Sequence, residues 1–252
     1  MHHHRLFNDK SEIYEKARPT YPAELFNLLS NLTPSNELEW DCACGNGQAT
    51  IGLIDKFDSI YATDISEEQI KNSKMHPKIN YKVAPSEKCE LPNESCDLIC
   101  VAQALHWFDY DTFWPEALRV LKPGGIFSAW GYNWPVLGGD LGTKFNKFIL
   151  DVVEPYWASQ NKIIWNHFRE INFPFEPITF SKPPMEVSWN LVEFLDFIYT
   201  FSATRRCIED VGDDFFKLAC SEISKVWEAP EKRKSIAFDF VLYIGRKETQ
   251  IE

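Results

Sequence analysis

The chain lacks most of what would mark a membrane, nucleic-acid or disulfide-built protein. No run of about 18 apolar residues occurs, so no segment is expected to cross a bilayer as a helix. The N-terminal stretch has no apolar leader core, which points to a cytoplasmic protein. Positive charge is scarce. Lys and Arg number 26 against 37 Asp and Glu, a net charge of −11, and no Lys/Arg cluster of the size needed to neutralise a phosphate backbone is present; nucleic acid is disfavoured as a partner. The seven cysteines contain no C-x-x-C. Cys42-x-Cys44 has no second pair to complete a zinc site, and an odd number without an export signal fits reduced thiols. Outside His2, His3 and His4 no His/Asp/Glu cluster has ligand spacing, so no metal is expected. Repeats and low-complexity linkers are also missing.

What is present is enough apolar material, 44% of 252 residues, for one large domain or a core with an inserted cap. After an N-terminal helical arm broken at Pro19 and Pro22, apolar runs read as strands at Leu38–Cys42, Ser59–Thr63, Asn80–Ala84, Cys96–Ala102 and Ile126–Trp130. Helical patterns lie between them at Gln48–Lys56, Ser66–Ser73 and Asp111–Leu121, the last stopped by Lys122-Pro123-Gly124-Gly125. This alternation predicts an α/β fold with a doubly wound, mostly parallel sheet. From Trp134 to about Pro184 the rhythm breaks into a Pro-, Trp- and Phe-rich, partly helical insert. Helices are expected at Leu191–Phe201 and Asp213–Trp227, and a final antiparallel strand at Ser235–Gly245. The expected organisation is a single domain: arm 1–30, core 31–133, insert or cap 134–190, and closing helices and strand 191–252.

The segment Asp41-Cys42-Ala43-Cys44-Gly45-Asn46-Gly47-Gln48 joins a buried strand to a helix, and Asp64 ends the next apolar run. Glycines in such a turn let the backbone approach a ligand, and an acid after the second strand accepts hydrogen bonds from ribose hydroxyls, so an adenosine-containing cofactor is indicated. A dinucleotide fingerprint needs a third glycine three residues after the second; here the residue after Gly47 is Gln48, which opposes a nicotinamide cofactor. In parallel sheets ligands lie beyond the strand C-termini. Cys44–Gly47, Asp64, Ala84–Glu87, Gln103–Trp107 and Trp130–Tyr132 all fall there.

These segments together resemble class I S-adenosylmethionine-dependent methyltransferases, and within them the subgroup similar to trans-aconitate methyltransferase. The Ala43-x-Gly45-x-Gly47 turn resembles their glycine-rich first motif, with Ala43 in place of its first glycine. A methyl group there fits a negative φ and crowds a left-handed conformation, which bears on cofactor affinity. Tyr14-Glu15-Lys16-Ala17-Arg18-Pro19-Thr20-Tyr21-Pro22, Ala104-Leu105-His106-Trp107-Phe108-Asp109, Leu121-Lys122-Pro123-Gly124-Gly125 and Trp130-Gly131-Tyr132 resemble further signatures of the group. The resemblance implies a Rossmann-like sheet of seven strands, S-adenosylmethionine as cofactor and S-adenosylhomocysteine as product. It implies cofactor contacts from Asp41, Cys42, Ala43, Cys44, Gly45 and Gly47. Asp64 is expected on the ribose, Ile65, Ser86 and Glu87 around adenine, and Gln103 and Ala104 near the methionine part. Tyr14 and Arg18 are expected at the cofactor carboxylate. His106 and Trp107 become candidate catalytic or positioning residues, and Tyr21, His106, Tyr132, Arg205 and Arg206 candidate acceptor-binding residues. A small-molecule acceptor and a monomeric enzyme follow from the same resemblance. A carboxylate acceptor is expected because a chain this acidic needs a local cationic anchor for an anion. Methylation of a phenol, quinone or ring carbon, and cofactor binding without catalysis, stay open at this point.

Overall fold

The computed structural model describes residues 17–249, and its chain divides into two compact units. Of the described residues, one unit comprises 20–133, 162–184 and 240–249 and carries the parallel sheet; the other comprises 17–19, 134–161 and 185–239 and is mostly helical.

In the sheet unit, β1 (Leu38–Cys42), β2 (Ser59–Asp64), β3 (Ile79–Val83), β4 (Cys96–Ala102) and β5 (Leu121–Val136) alternate with helices, as expected. β1 pairs in parallel with β2 and β4, β2 with β3, and β4 with β5. The strand order is β3-β2-β1-β4-β5-β8-β6, with β7 also on β8. The sheet thus has eight strands where seven were expected. The difference arises in the insert: the two-residue β6 (Glu176–Pro177) and β7 (Glu186–Trp189) each pair antiparallel with β8 (Lys234–Arg246). No periodicity can announce strands this short. Beside β5, Lys247 N donates to Gly125 O at 2.9 Å and Ser128 Oγ to Tyr243 O at 3.0 Å, so β8 runs back along it.

Helices cover both faces of the parallel core. On one face Trp40, Cys42, Ile99, Val101, Phe127 and Ala129 pack with Phe113, Ala117 and Val120 of a helix at Tyr110–Val120, and with Ile164, Phe168 and Phe175 from the insert. Strand alternation turns Glu39, Asp41 and Trp130 to the other face. There α1 (Ala23–Leu32) places Phe26 edge-on to Trp130, centroids 6.5 Å apart, and α2 (Gln48–Leu53) reaches Asp41 through Thr50. Gly52 of α2 is required, since a Cβ would stand 2.1 Å from the Phe26 ring.

Boundaries differ from expectation by physical detail. α2 ends at Leu53 rather than Lys56. α3 (Glu67–Lys71) is shorter than Ser66–Ser73 because Ser66 is its N-cap, accepting from Gln69 N at 3.3 Å. The Tyr110–Val120 helix, α4, starts one residue early, capped by Asp109. β5 begins at Leu121 and includes Pro123-Gly124-Gly125, read from sequence as a turn. Gly124 takes φ +76, its N–H reaches Lys247 O and its carbonyl accepts from Arg246, so pairing with β8 continues through the glycines.

In the helical unit, α5 (Gly139–Phe145) runs on through a π-helical stretch, Asn146–Leu150, to Val153; α6 (Asn161–Trp165) follows at the boundary of the two units. α7 (Leu191–Tyr199) starts at a full capping box of Asn190 and Glu193. α8 (Ser202–Val211), unanticipated from the sequence, precedes α9 (Asp214–Trp227). No helix among the described residues is long and apolar enough to cross a membrane.

Candidate active site

The turn after β1 is built from alternating left-handed residues. Ala43, Gly45 and Gly47 have φ of +59, +57 and +88. Gly47 is required twice over: by its φ, and because a Cβ would lie 2.4 Å from the Tyr81 hydroxyl. Gly45 is required by conformation alone, its nearest atom to a built Cβ being 3.9 Å away. Ala43 takes the crowded left-handed form, not the negative φ that a methyl group prefers. Cys44 N donates to Thr63 O at 2.9 Å and Gly47 N to Cys44 O at 3.0 Å, which fastens the turn to the end of β2.

Asp64 completes the fastening. Its Oδ2 accepts from Gly45 N and its Oδ1 from Ser66 N, each at 2.8 Å. Both oxygens hold backbone, and each keeps a lone pair for a further donor. Ile65 beside it is 78% exposed, an apolar side chain in water at the mouth of the turn. Ser86 and Glu87, in the loop after β3, bond to each other through Ser86 Oγ at 2.8 Å.

Beneath the turn, Asp41 is fully buried and accepts from Thr50 Oγ1 through Oδ2, while Oδ1 has no partner. Burial pushes its carboxyl up to about 7, against the Thr50 bond and with the charge of Asp64 adding. Cys42 and Cys44 are buried and held as neutral thiols, raised by burial first and then by neighbouring acids.

Past β4, Gln103 N donates to Trp130 O at 2.8 Å. A 3-10 turn, Leu105–Trp107, then carries the two candidate catalytic residues. His106 is buried, and burial lowers it to about 4, so it is neutral at physiological pH; its Nδ1 has no partner. The Trp107 ring lies 4.8 Å from it and is 55% exposed. Tyr132 on β5 is buried, and Tyr21 packs near it with centroids 6.5 Å apart and edge-on to Trp130 at 5.6 Å.

The sheet unit therefore carries Asp41 to Gly47, Asp64, Ile65, Ser86, Glu87, Gln103, Ala104, His106 and Trp107 at or beyond the C-terminal ends of its parallel strands, with Tyr132 inside β5 and Tyr21 before α1. Arg18, Arg205 and Arg206 belong to the helical unit. There Arg18 Nη2 donates to Thr200 O at 3.0 Å with its guanidinium 5.8 Å from the Phe197 ring, and Arg206 Nη1 donates to Tyr156 O at 3.2 Å. Tyr14 lies outside the described residues.

Residues 40–129 match the family model of the methyltransferase domain. The chain is 27% identical to a Dictyostelium discoideum protein assigned as a methyltransferase, over 96% of each, and 27% identical to a Saccharomyces cerevisiae protein assigned as S-adenosylmethionine-dependent, over 51% of this chain and 47% of that one. The solved structure of an Anaeromyxobacter dehalogenans protein assigned as a type II methyltransferase superposes with a TM-score of 0.85 at 31% identity, covering 92% of this chain and 99% of that one. The chain is a class I S-adenosylmethionine-dependent methyltransferase.

S-adenosylmethionine is the cofactor of this methyltransferase, and the turn fits an adenosine ligand: Gly45 leaves open space, with nothing nearer than 3.9 Å to a built Cβ, and its acid has acceptor capacity to spare. The methyltransferase also holds one buried acid that sequence reasoning missed. Glu39 is fully buried and neither carboxyl oxygen has a hydrogen-bond partner of normal geometry; the Cys100 thiol is beside it. Burial, with Asp41 adding, pushes its carboxyl well above the usual range. Asp97 shows the contrast: equally buried, it is bonded by Ser35 Oγ, Glu37 N, Leu38 N and Lys122 Nζ. The signal for Glu39 was an acid alternating with Asp41 in an otherwise apolar strand.

Proposed function

We propose that this methyltransferase esterifies a small-molecule carboxylate, as the resemblance to the trans-aconitate methyltransferase subgroup suggests, and acts as a cytoplasmic monomer of one catalytic domain. The observation that carries this is the neutral, buried His106. A general base works best with a pKa near the working pH. A group lowered to about 4 cannot take a proton from a phenol, whose pKa is about 10. This favours an acceptor that arrives already nucleophilic, as a carboxylate, with a pKa of about 4, does at neutral pH. His106 then serves as a neutral hydrogen-bonding group toward the acceptor.

In this reading the Ala43–Gly47 backbone, with Asp41 beneath it and the neutral thiols of Cys42 and Cys44 at its edge, surrounds the amino-acid end of the cofactor. Asp64 takes the ribose hydroxyls with its remaining lone pairs, Ile65 covers adenine, and Ser86 and Glu87 meet its edge. Gln103 and Ala104 lend backbone groups. The bound cofactor supplies an activated methyl group on a sulfonium, so catalysis rests on in-line placement of the carboxylate oxygen. Trp107, Tyr21 and Tyr132 provide aromatic walls for that placement.

The test is a transfer assay with radiolabelled methyl donor against dicarboxylic, tricarboxylic and fatty acids, phenols and amines. A base-labile product releasing methanol is expected from an acid. A base-stable product from a phenol or amine overturns the carboxylate reading, and tight cofactor binding with no turnover on any class overturns catalysis.

A further inference from the structure

Gln103 is strained in its backbone and anchored through its side chain. Its φ is +55, a region that non-glycine residues keep only where their surroundings over-determine it. Its N–H donates to Trp130 O at 2.8 Å, and its Nε2 donates to Tyr132 O at 3.1 Å. The two acceptors flank Gly131, and the amide lies across that residue: a Cβ on Gly131 would stand 2.9 Å from Gln103 Oε1, with Ile164 Cγ2 at 3.3 Å. Glycine at 131 is what admits the amide. One residue thus spans from the end of β4 to two alternate carbonyls of β5, which fixes both its position and its rotation.

The turn that follows is nearly a rigid body. Trp107 N donates to Ala104 O at 2.9 Å and Phe108 N to Leu105 O at 3.1 Å, while Leu105 is buried as its floor. Leu105, with Ala104 and Phe108, packs on the apolar core, Phe108 edge-on to Phe113 with centroids 4.7 Å apart. Apolar contacts hold the turn down without fixing its direction; the directional bonds at its start do that.

We infer that Gln103 is a positioning residue, latching the turn after β4 to β5 across Gly131 and so setting where His106 and Trp107 meet the acceptor. This rests on the reading of those two residues as acceptor-side groups. Neither touches Gln103 through its side chain, so the effect travels through the backbone of residues 103–106. A displacement of about 1 Å at a reacting group costs up to about 100-fold in rate, which is the scale such a latch can govern.

The test compares full-length Gln103→Glu, Gln103→Ala and Gly131→Ala. Glu keeps the shape of Gln but sets a second acceptor against Tyr132 O; Gly131→Ala evicts the amide without touching Gln103. All three are expected to lower kcat by about 10- to 100-fold, a larger loss than any fall in cofactor affinity by calorimetry, since Gln103 and Ala104 also meet the cofactor through their backbone. In a His106→Ala background Gln103→Glu should cost less than it does alone, since residues acting as one unit are not additive and only the Trp107 share remains. Full kcat in Gln103→Glu, or a loss that adds in full to that of His106→Ala, overturns the latch. If His106→Ala alone keeps full kcat, the reading of His106 fails instead. The latch is then judged on Trp107 emission, isolated by subtracting the spectrum of each variant's Trp107→Phe counterpart: a shift in Gln103→Glu supports it and an unshifted spectrum overturns it. Should Gly131→Ala fail to fold, the two Gln103 variants still decide.

Discussion

Ala43 places a methyl group where the backbone is left-handed, at φ +59, a conformation that costs a non-glycine residue about 1–2 kcal/mol. Ala43→Gly should relieve most of it and, after the extra freedom given to the unfolded chain, stabilise the protein by roughly 0.5–1 kcal/mol. A melting temperature raised by about 1–4 °C in a thermal scan checks this; a lowered one contradicts it. Asp64→Ala removes both backbone anchors of the turn along with the proposed ribose contact. Cofactor affinity should fall by about 1–3 kcal/mol in calorimetry, and unchanged affinity in a folded variant would reduce Asp64 to a brace. Asp41 gives a pH signature. Its carboxyl is raised from 3.8 to about 7 in the fold, so the folded protein binds the extra proton between those values. That contribution to stability is complete below about pH 4, declines as pH rises through 7, and is gone above it. Urea midpoints should fall across this window, and Asp41→Asn should flatten the slope. Most of these residues were legible from their spacing, because a turn that wraps a ligand needs glycine and acid at fixed offsets. The φ of Ala43 was not, since a single sequence states which residue is present and not which strain is tolerated. Nor was Glu39, whose burial depends on which face of β1 the helices cover.

Elements were legible in proportion to their apolar period. The five parallel strands and α4 carry runs that only a buried sheet or an amphipathic helix satisfies. α8 escaped because the residues it buries, Ala203, Thr204 and Cys207, are small or polar, and its first residue follows Phe201 with no capping side chain. Without an apolar stripe, helical spacing leaves no trace. α7 is the opposite case: Asn190 Oδ1 accepts from Glu193 N at 3.0 Å and Glu193 Oε2 accepts from Asn190 N at 2.8 Å. Asn190→Ala should cost about 1 kcal/mol, measured by chemical denaturation, and Asn190→Ser should recover most of the loss.

At the scale of the molecule, a sequence read as one alternating pattern yields two compact units whose segments interleave along the chain. Interleaving is invisible to local pattern, because it is decided by pairings more than a hundred residues apart. The N-terminal arm illustrates it: Arg18 is bonded in the helical unit while Tyr21 packs on Trp130 and Tyr132 in the sheet unit. Deleting residues 1–22 should raise the cofactor dissociation constant while circular dichroism keeps its α/β signature; equal affinity in the truncated protein would deny the arm any part in binding. β8 carries the longest consequence. Its first half pairs with β7, its second half lies along β5 and β6, and Arg246 ties the edge to Gly124 O at 2.7 Å and Leu32 O at 3.1 Å. While the chain leaves the ribosome, β5 is made about a hundred residues before its neighbour, and until β8 emerges it offers an unpaired, apolar edge to any other strand. A nascent chain interrupted before residue 234 would hold nearly all of its glycine-rich turn and still be a candidate for aggregation.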